Sequence, residues 1–339
     1  MIQMDKIEPI DLVYLWCDVS DPIWAAQKSE AMKKAGVPVV ATSDATGDKR
    51  YKQLDELKYS LRSAYENVPW LNHIYIVTDN RMPAWFKEHP KISIVRSDDF
   101  IPSELLPAFS SVTIEMYLDQ IPGLSEKFLY ANDDFFFNIP LKKEDFYRGD
   151  NPIIWFEKWC PFGRDADFES IKKHVTAAGE YSWIKTVARA YVLFCERNAL
   201  NDKTFPFYRT IHSIEAFTKT IFKKVIRKYP EIRAINRQTF RTGKEIQRII
   251  FPYEFSYAEY CETHINPRRT KLNRFKSRFT DIGMFAILTE QIAGFREELK
   301  VFKPKTFCLN NIQQDQQQAL QEFLEEKFPR PAPWEVEIA

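Results

Sequence analysis

Residues 10–16 form an almost unbroken apolar run around a single acid, Asp11, and the run ends in the polar turn Cys17-Asp18-Val19-Ser20-Asp21-Pro22. Continuous rather than alternating apolar sequence suits a strand covered on both faces, so the pattern predicts a buried parallel strand and then a capped helix. Leu54, Leu57, Leu61 and Ala64 recur at helical spacing, with Asp55 and Glu56 where a first turn favours acids. Further apolar stretches at 73–78, 92–95 and 128–131 predict three more strands. Strand, helix, strand alternation implies right-handed crossovers and a doubly wound sheet that binds ligands at its carboxyl edge. Polar clusters at 18–21, 78–81 and Asn132-Asp133-Asp134 all fall at such strand ends.

The second half reads differently. At 167–197 and 213–228 apolar residues recur at helical spacing, as in Ile214, Phe217, Ile221, Phe222 and Val225. A strand at 306–309 is expected to return to the sheet, with Asn310 and Asn311 at its carboxyl end, before a closing helix at 316–328 stopped by Pro329. The expected fold is α/β: a Rossmann-like doubly wound sheet with a mainly helical insertion before the last strand. It divides into a core over 1–160, a mainly helical region over 161–300, and a completing strand and helix over 301–339.

Two basic stretches lie in the helical region. One holds Lys223, Lys224, Arg227, Lys228, Arg233, Arg237, Arg241, Lys244 and Arg248, the other Arg268, Arg269, Lys271, Arg274, Lys276 and Arg278. Such runs are usually solvated faces; the alternative is contact with an anionic acceptor or lipid headgroups. Lys and Arg (48) nearly balance Asp and Glu (47), so no global charge draws the chain to nucleic acid. The five cysteines are odd in number and lack CxxC spacing, which reads as reduced thiols rather than a disulfide frame or zinc finger. Asp5, Lys6 and Glu8 interrupt any secretory signal, and no apolar run approaches the roughly 20 residues of a membrane span. The expectation is a cytoplasmic protein, with room for peripheral contact at the inner face of the membrane.

The Asn132-Asp133-Asp134 break carries the most chemistry. Adjacent carboxylates on a turn can hold a hard cation, or one cation and one proton in transit; the alternative is a turn that caps a buried strand. Neither GxGxxG nor GxxxxGK[ST] occurs, so phosphates would have to be held by side chains, helix ends and metal.

These residues carry a resemblance. Residues 11–22 resemble the first signature block of the Stealth family of sugar-phosphate transferases. Arg50-Tyr51, 54–63, Pro69-Trp70, 74–79 and a series ending in Asn132-Asp133-Asp134 resemble the second. His212 and Arg241 mark the third, and Cys308-Leu309-Asn310 with Phe328-Pro329 the fourth. The resemblance implies transfer of a sugar 1-phosphate from a nucleotide sugar, such as a UDP-hexose or UDP-N-acetylhexosamine, to a hydroxyl of an oligosaccharide or lipid-linked glycan. That activity belongs to bacterial capsule or exopolysaccharide assembly, beside other assembly proteins. Asn311 departs from the family's Asn-Asp by replacing a carboxylate with an amide, and Glu245 stands where Asp is usual.

On this reading Asp134, with Asn311 and a share from Asp133, holds Mg²⁺ or Mn²⁺, and Asp133 or His212 takes the acceptor's proton. Arg241 clamps phosphate oxygens with its planar fork. Trp16, Asp18, Ser20, Asp21 and Asn132 line the donor pocket, and Arg50 and Asp55 either touch the donor or pair with each other. The competing functions are a metal-dependent glycosyltransferase, which would release UDP, and a non-catalytic glycan-binding assembly protein.

Overall fold

The computed structural model describes residues 8–36, 53–158, 162, 166–176, 182–266, 283–287, 292–310 and 316–336. Strands β1 (Ile10–Leu15), β2 (Ile74–Val77), β3 (Ile92–Val95) and β4 (Lys127–Asn132) form a parallel sheet in the order β3-β2-β1-β4. Helices α1 (Pro22–Ala35), α2 (Glu56–Asn67) and α3 (Ser111–Glu115) lie between them in sequence. The non-alternating apolar runs are explained by burial on both sides. Leu12, Tyr14, Leu129 and Ala131 pack with Leu57, Leu61 and Ala64 of α2, while Val13, Phe128 and Tyr130 face a second core. Each fully buried side chain of this size contributes about 1.5–3 kcal/mol through apolar area removed from water.

After β4 the chain makes a two-residue turn into β5 (Phe135–Phe137), then β6 (Tyr147–Arg148) and β7 (Asn151–Lys158). The region that follows holds α4 (Phe168–Thr176), α5 (Trp183–Arg197), β8 (Tyr208–Thr210), β9 (Glu215–Thr218), α6 (Lys219–Lys228), α7 (Glu231–Ile235), α8 (Ile250–Tyr257) and β10 (Glu262–Asn266). The chain closes with β11 (Gly283–Ile287), α9 (Ile292–Phe302), β12 (Thr306–Asn310) and α10 (Gln317–Lys327). Strands β10, β7 and β6 make a second sheet, with β8 paired to β7.

Two elements differ from the sequence pattern. The helix expected over 213–228 begins only at Lys219, because Glu215–Thr218 instead pairs antiparallel with β4 and extends the main sheet. Thr218 makes the switch: its hydroxyl accepts from the Ile221 amide and caps α6. The returning strand at 306 forms as expected, but it pairs antiparallel with β5 and parallel with β11 in a separate three-stranded sheet. Phe136, Phe307, Phe328 and Leu320 fill a core beneath that sheet, so its pairing is fixed by packing as well as by backbone bonds.

The end of the described chain is tied back to α2. Arg62, on the buried side of that helix, donates through Nε and Nη2 to the two carboxylate oxygens of Glu335 at 2.8 Å each, and through Nη1 to the Phe328 carbonyl.

Candidate functional site

The β4–β5 turn is the centre of the site. Asn132 ends β4, and Asp133 and Asp134 form the turn. The turn is gripped from several directions. Gln53 Nε2 donates to Asp133 Oδ2 at 2.6 Å and to the Cys17 carbonyl at 2.9 Å, joining the ends of β1 and β4. The Leu309 amide donates to the Asp134 carbonyl at 3.1 Å, so β12 holds the turn from the other sheet. Cys308 Sγ donates to Asp134 Oδ2 at 3.4 Å.

Acids crowd this point. Glu56, the first residue of α2, is buried and accepts from the Leu54 amide. Burial, and then the charge of Asp133, pushes Glu56 up to about 7. Burial and the charge of Asp18 push Asp133 up to about 6 against the opposing Gln53 hydrogen bond. Asp134 is raised well above the usual carboxylate range by burial and by Asp133, and its Oδ1 is buried with no hydrogen-bond partner among the described residues. Carboxylates desolvated together disfavour their own ionisation, and a cation among them removes that penalty. The donor set therefore fits a divalent cation. Asp134, His212 and Cys308 each offer a ligand atom, and these atoms lie within 4.8 Å of one another.

His212 enters from the segment between β8 and β9, its ring edge-on to Phe135 at 4.8 Å. Burial and the charges of Arg248 and Arg209 depress it to about 3, so the imidazole is neutral at physiological pH. Arg248 was grouped by sequence with a solvated basic face, but its side chain is only 14% exposed. It pairs with Glu215 and Glu115 and lies over the Tyr130 ring at 4.7 Å. The Tyr130 hydroxyl in turn stands 3.1 Å from both Glu115 Oε1 and Asn132 Oδ1. A buried guanidinium so placed supports the last residue of β4. Lys223, Lys224, Arg227, Arg237 and Lys244 are exposed as expected of a solvated face.

The remaining candidates occupy several settings. Trp16 is in the core beside α2. Asp18 bonds the Ser20 amide and hydroxyl, and its backbone is clamped by Asn80. Asp21 caps α1 through the Ile23 amide and pairs with Arg81; burial raises it, but these bonds together hold it below the usual range. Asp55 is exposed, with φ of 63°, immediately before Glu56. Arg241 donates to the Ser111 hydroxyl at the start of α3, and its neighbour Phe240 stacks on Phe109 in a cluster that also holds Cys17 and Val19. Glu245 is wholly buried and accepts from the Thr242 and Gly243 amides, so it shapes the loop that carries Arg241. Arg50, Asn311, Cys160 and the basic stretch 268–278 lie outside the described residues.

Sequence reasoning missed Gln53 and Glu56 as members of the site and read Cys308 as an ordinary buried thiol. In the sequence Glu56 was only an acid in a helix's first turn, where acids are common, so nothing marked it as part of the site.

The fold and this edge define an α/β protein with a carboxylate-rich centre where β1 and β4 end. The chain belongs to the Stealth family: residues 50–153 match Stealth protein CR2, conserved region 2, and residues 298–339 match Stealth protein CR4, conserved region 4. It is 33% identical over 347 residues to exopolysaccharide phosphotransferase CpsY of Mycobacterium tuberculosis (strain ATCC 25618 / H37Rv), covering 98% of this chain and 59% of that protein. It is 29% identical over 311 residues to capsular polysaccharide phosphotransferase LcbA of Neisseria meningitidis, covering 91% of this chain and 79% of that protein. The chain thus spans about 59% of the length of the CpsY relatives it matches. Among solved structures, the galactosyltransferase LgtC in complex with donor and acceptor sugar analogues aligns with 94% of this chain and 95% of its own, at a TM-score of 0.41 and 9% identity.

Proposed function

We propose that this protein transfers a sugar 1-phosphate from a nucleotide diphosphate sugar to a glycan hydroxyl in capsule or exopolysaccharide synthesis. The donor proposed is a UDP-hexose or UDP-N-acetylhexosamine, and the acceptor an oligosaccharide or lipid-linked glycan. The observation that carries the reading is the gathering of Asp133, Asp134 and Glu56 where β1 and β4 end, with a neutral His212 beside Asp134. The relatives, an exopolysaccharide phosphotransferase and a capsular polysaccharide phosphotransferase, support that chemical class.

In the proposed reaction the acceptor oxygen attacks the β-phosphorus in line, the bond to the bridging oxygen breaks, and nucleoside monophosphate leaves. Asp133 is the better base. An acid near 6 is ionised at neutral pH and still takes a proton, whereas an imidazole near 3 holds one poorly. His212 then serves through its lone pair, and Arg241 and Asn132 orient the diphosphate. A divalent cation, Mg²⁺ in the simplest case, would be held by Asp134 with Asp133 and would neutralise developing phosphoryl charge. No described helix is long and apolar enough to cross a membrane; a lipid-linked acceptor is proposed to be met peripherally at the inner face.

The test is product analysis on a panel of nucleotide sugars with and without a divalent cation. Monophosphate release with phosphorus retained in the product supports the proposal; UDP release without phosphorus transfer replaces it with a glycosyltransferase. Asp133→Ala and His212→Ala are each expected to lower donor turnover by about 10²–10⁴, the range typical of positioned proton-transfer groups. Unchanged turnover in both would move the active centre elsewhere.

A further inference from the structure

One edge of β5 pairs with β12, and the other is turned to α2. On the β12 side the Leu309 amide donates to the Asp134 carbonyl at 3.1 Å, and the Asn138 amide donates to the Lys305 carbonyl at 2.9 Å. Backbone direction alternates along an antiparallel strand, so Phe135 and Phe137, which lie between these, turn their amides and carbonyls away from β12. Both residues are buried, and an unpaired backbone group there costs about as much as a lost hydrogen bond.

Side chains of α2 stand in for the missing strand. Ser60 Oγ donates to the Phe135 carbonyl, Ser63 Oγ accepts from the Phe137 amide at 3.0 Å, and Asn67 Nδ2 donates to the Phe137 carbonyl at 2.8 Å. All three side chains are buried. They share one face of the helix, and Glu56, four residues before Ser60, continues that stripe to the acids of the turn. We infer that this stripe sets where the acidic turn stands, and that Ser60 is a positioning residue that fixes the turn for phosphoryl transfer. The inference rests on reading the turn as the reacting centre, and adds the device that holds it.

Ser60 is singled out by what it joins. Its acceptor, the Phe135 carbonyl, lies one residue beyond Asp134, and the Phe135 ring meets His212. Ser60 Oγ also stands 2.8 Å from the Tyr14 hydroxyl, which donates to the Ser60 carbonyl at 3.3 Å. One serine therefore ties β1, α2 and the first residue of β5 together at the foot of the turn. Ser60 is wholly buried and acts through Phe135, so losing its hydroxyl leaves donor binding intact and moves the reacting groups. In the competing arrangement the stripe only holds β5 in the fold, and Ser60 and Asn67 are equivalent in effect.

The experiment compares Ser60→Ala with Asn67→Ala, which removes the same kind of bond at the far end of β5, in the whole chain. The readouts are the denaturation midpoint, kcat and KM for monophosphate release from the most active nucleotide sugar with Mg²⁺, and amide exchange at Asp134, Phe135 and Phe136. Both variants should lose stability to a similar degree. Ser60→Ala should lower kcat roughly 10–100-fold with KM within about 2-fold, the loss that misplacing reacting groups by about 1 Å brings, while Asn67→Ala keeps kcat within about 3-fold. Ser60→Cys, nearly the same shape with a weaker donor, should fall between Ser60→Ala and wild type, and it decides alone if Ser60→Ala fails to fold. Equal kcat losses at Ser60 and Asn67, or a loss at Ser60 carried by KM, would overturn the inference. Amide exchange separates it from the transferase reading. If wild type releases no monophosphate, the transferase falls, and faster exchange at the turn in Ser60→Ala than in Asn67→Ala still sustains the brace while equal exchange removes it. Wild-type release with an unimpaired Ser60→Ala keeps the transferase and removes the role of Ser60.

Discussion

Glu56 shows how one side chain registers the site's electrostatics. Its carboxyl titrates near 4.5 in an unfolded chain and about 7 here, so its protonated form is favoured by folding. That contribution is complete below about pH 4.5 and is lost as pH rises through 7, by roughly 3 kcal/mol for a shift of this size. His212 acts in the opposite sense, since a depressed histidine stabilises above its unfolded value and loses that stability as pH falls toward 3. The two slopes offset, so the informative quantity is a difference. Glu56→Gln in metal-free protein is expected to gain stability over wild type steadily from pH 4.5 to 7 and to plateau above. A difference in denaturation midpoint that stays flat across that range would mean Glu56 is not held among the other acids. Asp133 and Asp134 were legible in sequence because a polar pair breaking an apolar run is a local signal. Gln53 and Glu56 were not, because their approach depends on where α2 lands against β1 and β4.

At the scale of elements, α2 begins under strain. Asp55 takes φ of 63° and ψ of 20° without a side-chain cap bond, a left-handed conformation that costs a residue with a Cβ about 1–2 kcal/mol. Asp55→Gly should therefore hold or raise stability by up to about 1 kcal/mol after the entropy of glycine is counted. Donor turnover should fall if the carboxylate touches the donor, and an unaltered KM and kcat would remove Asp55 from the donor site. The parallel strands were readable because burial on both faces writes itself into every position. β9 was not, since Ile214, Phe217 and Ile221 satisfy a helical period and only pairing with β4 breaks it. The destination of β12 was equally hidden: its apolar run fits either sheet, and the phenylalanines of β5 decide.

Across the whole molecule, Arg62 and Glu335 join residues far apart in the chain with both partners buried. Removing one member of such a pair leaves an uncompensated charge, at a cost of about 3–5 kcal/mol. Glu335→Gln should lower the denaturation midpoint by that equivalent, whereas Glu325→Gln, at the exposed side of the same arginine, should cost under about 1 kcal/mol. Equal losses in the two variants would show that the buried pairing is not what fastens the chain's end to α2.

The pairing of β5 with β12 has a further consequence during synthesis. The turn acids are made well before the strand that braces them and brings Cys308 to Asp134. A nascent chain that stops short of β12 is therefore expected to expose an acidic turn beside an unpaired strand edge, a state open to wrong pairings. Arrested chains ending on either side of β12 should differ sharply in protease resistance around residues 130–137.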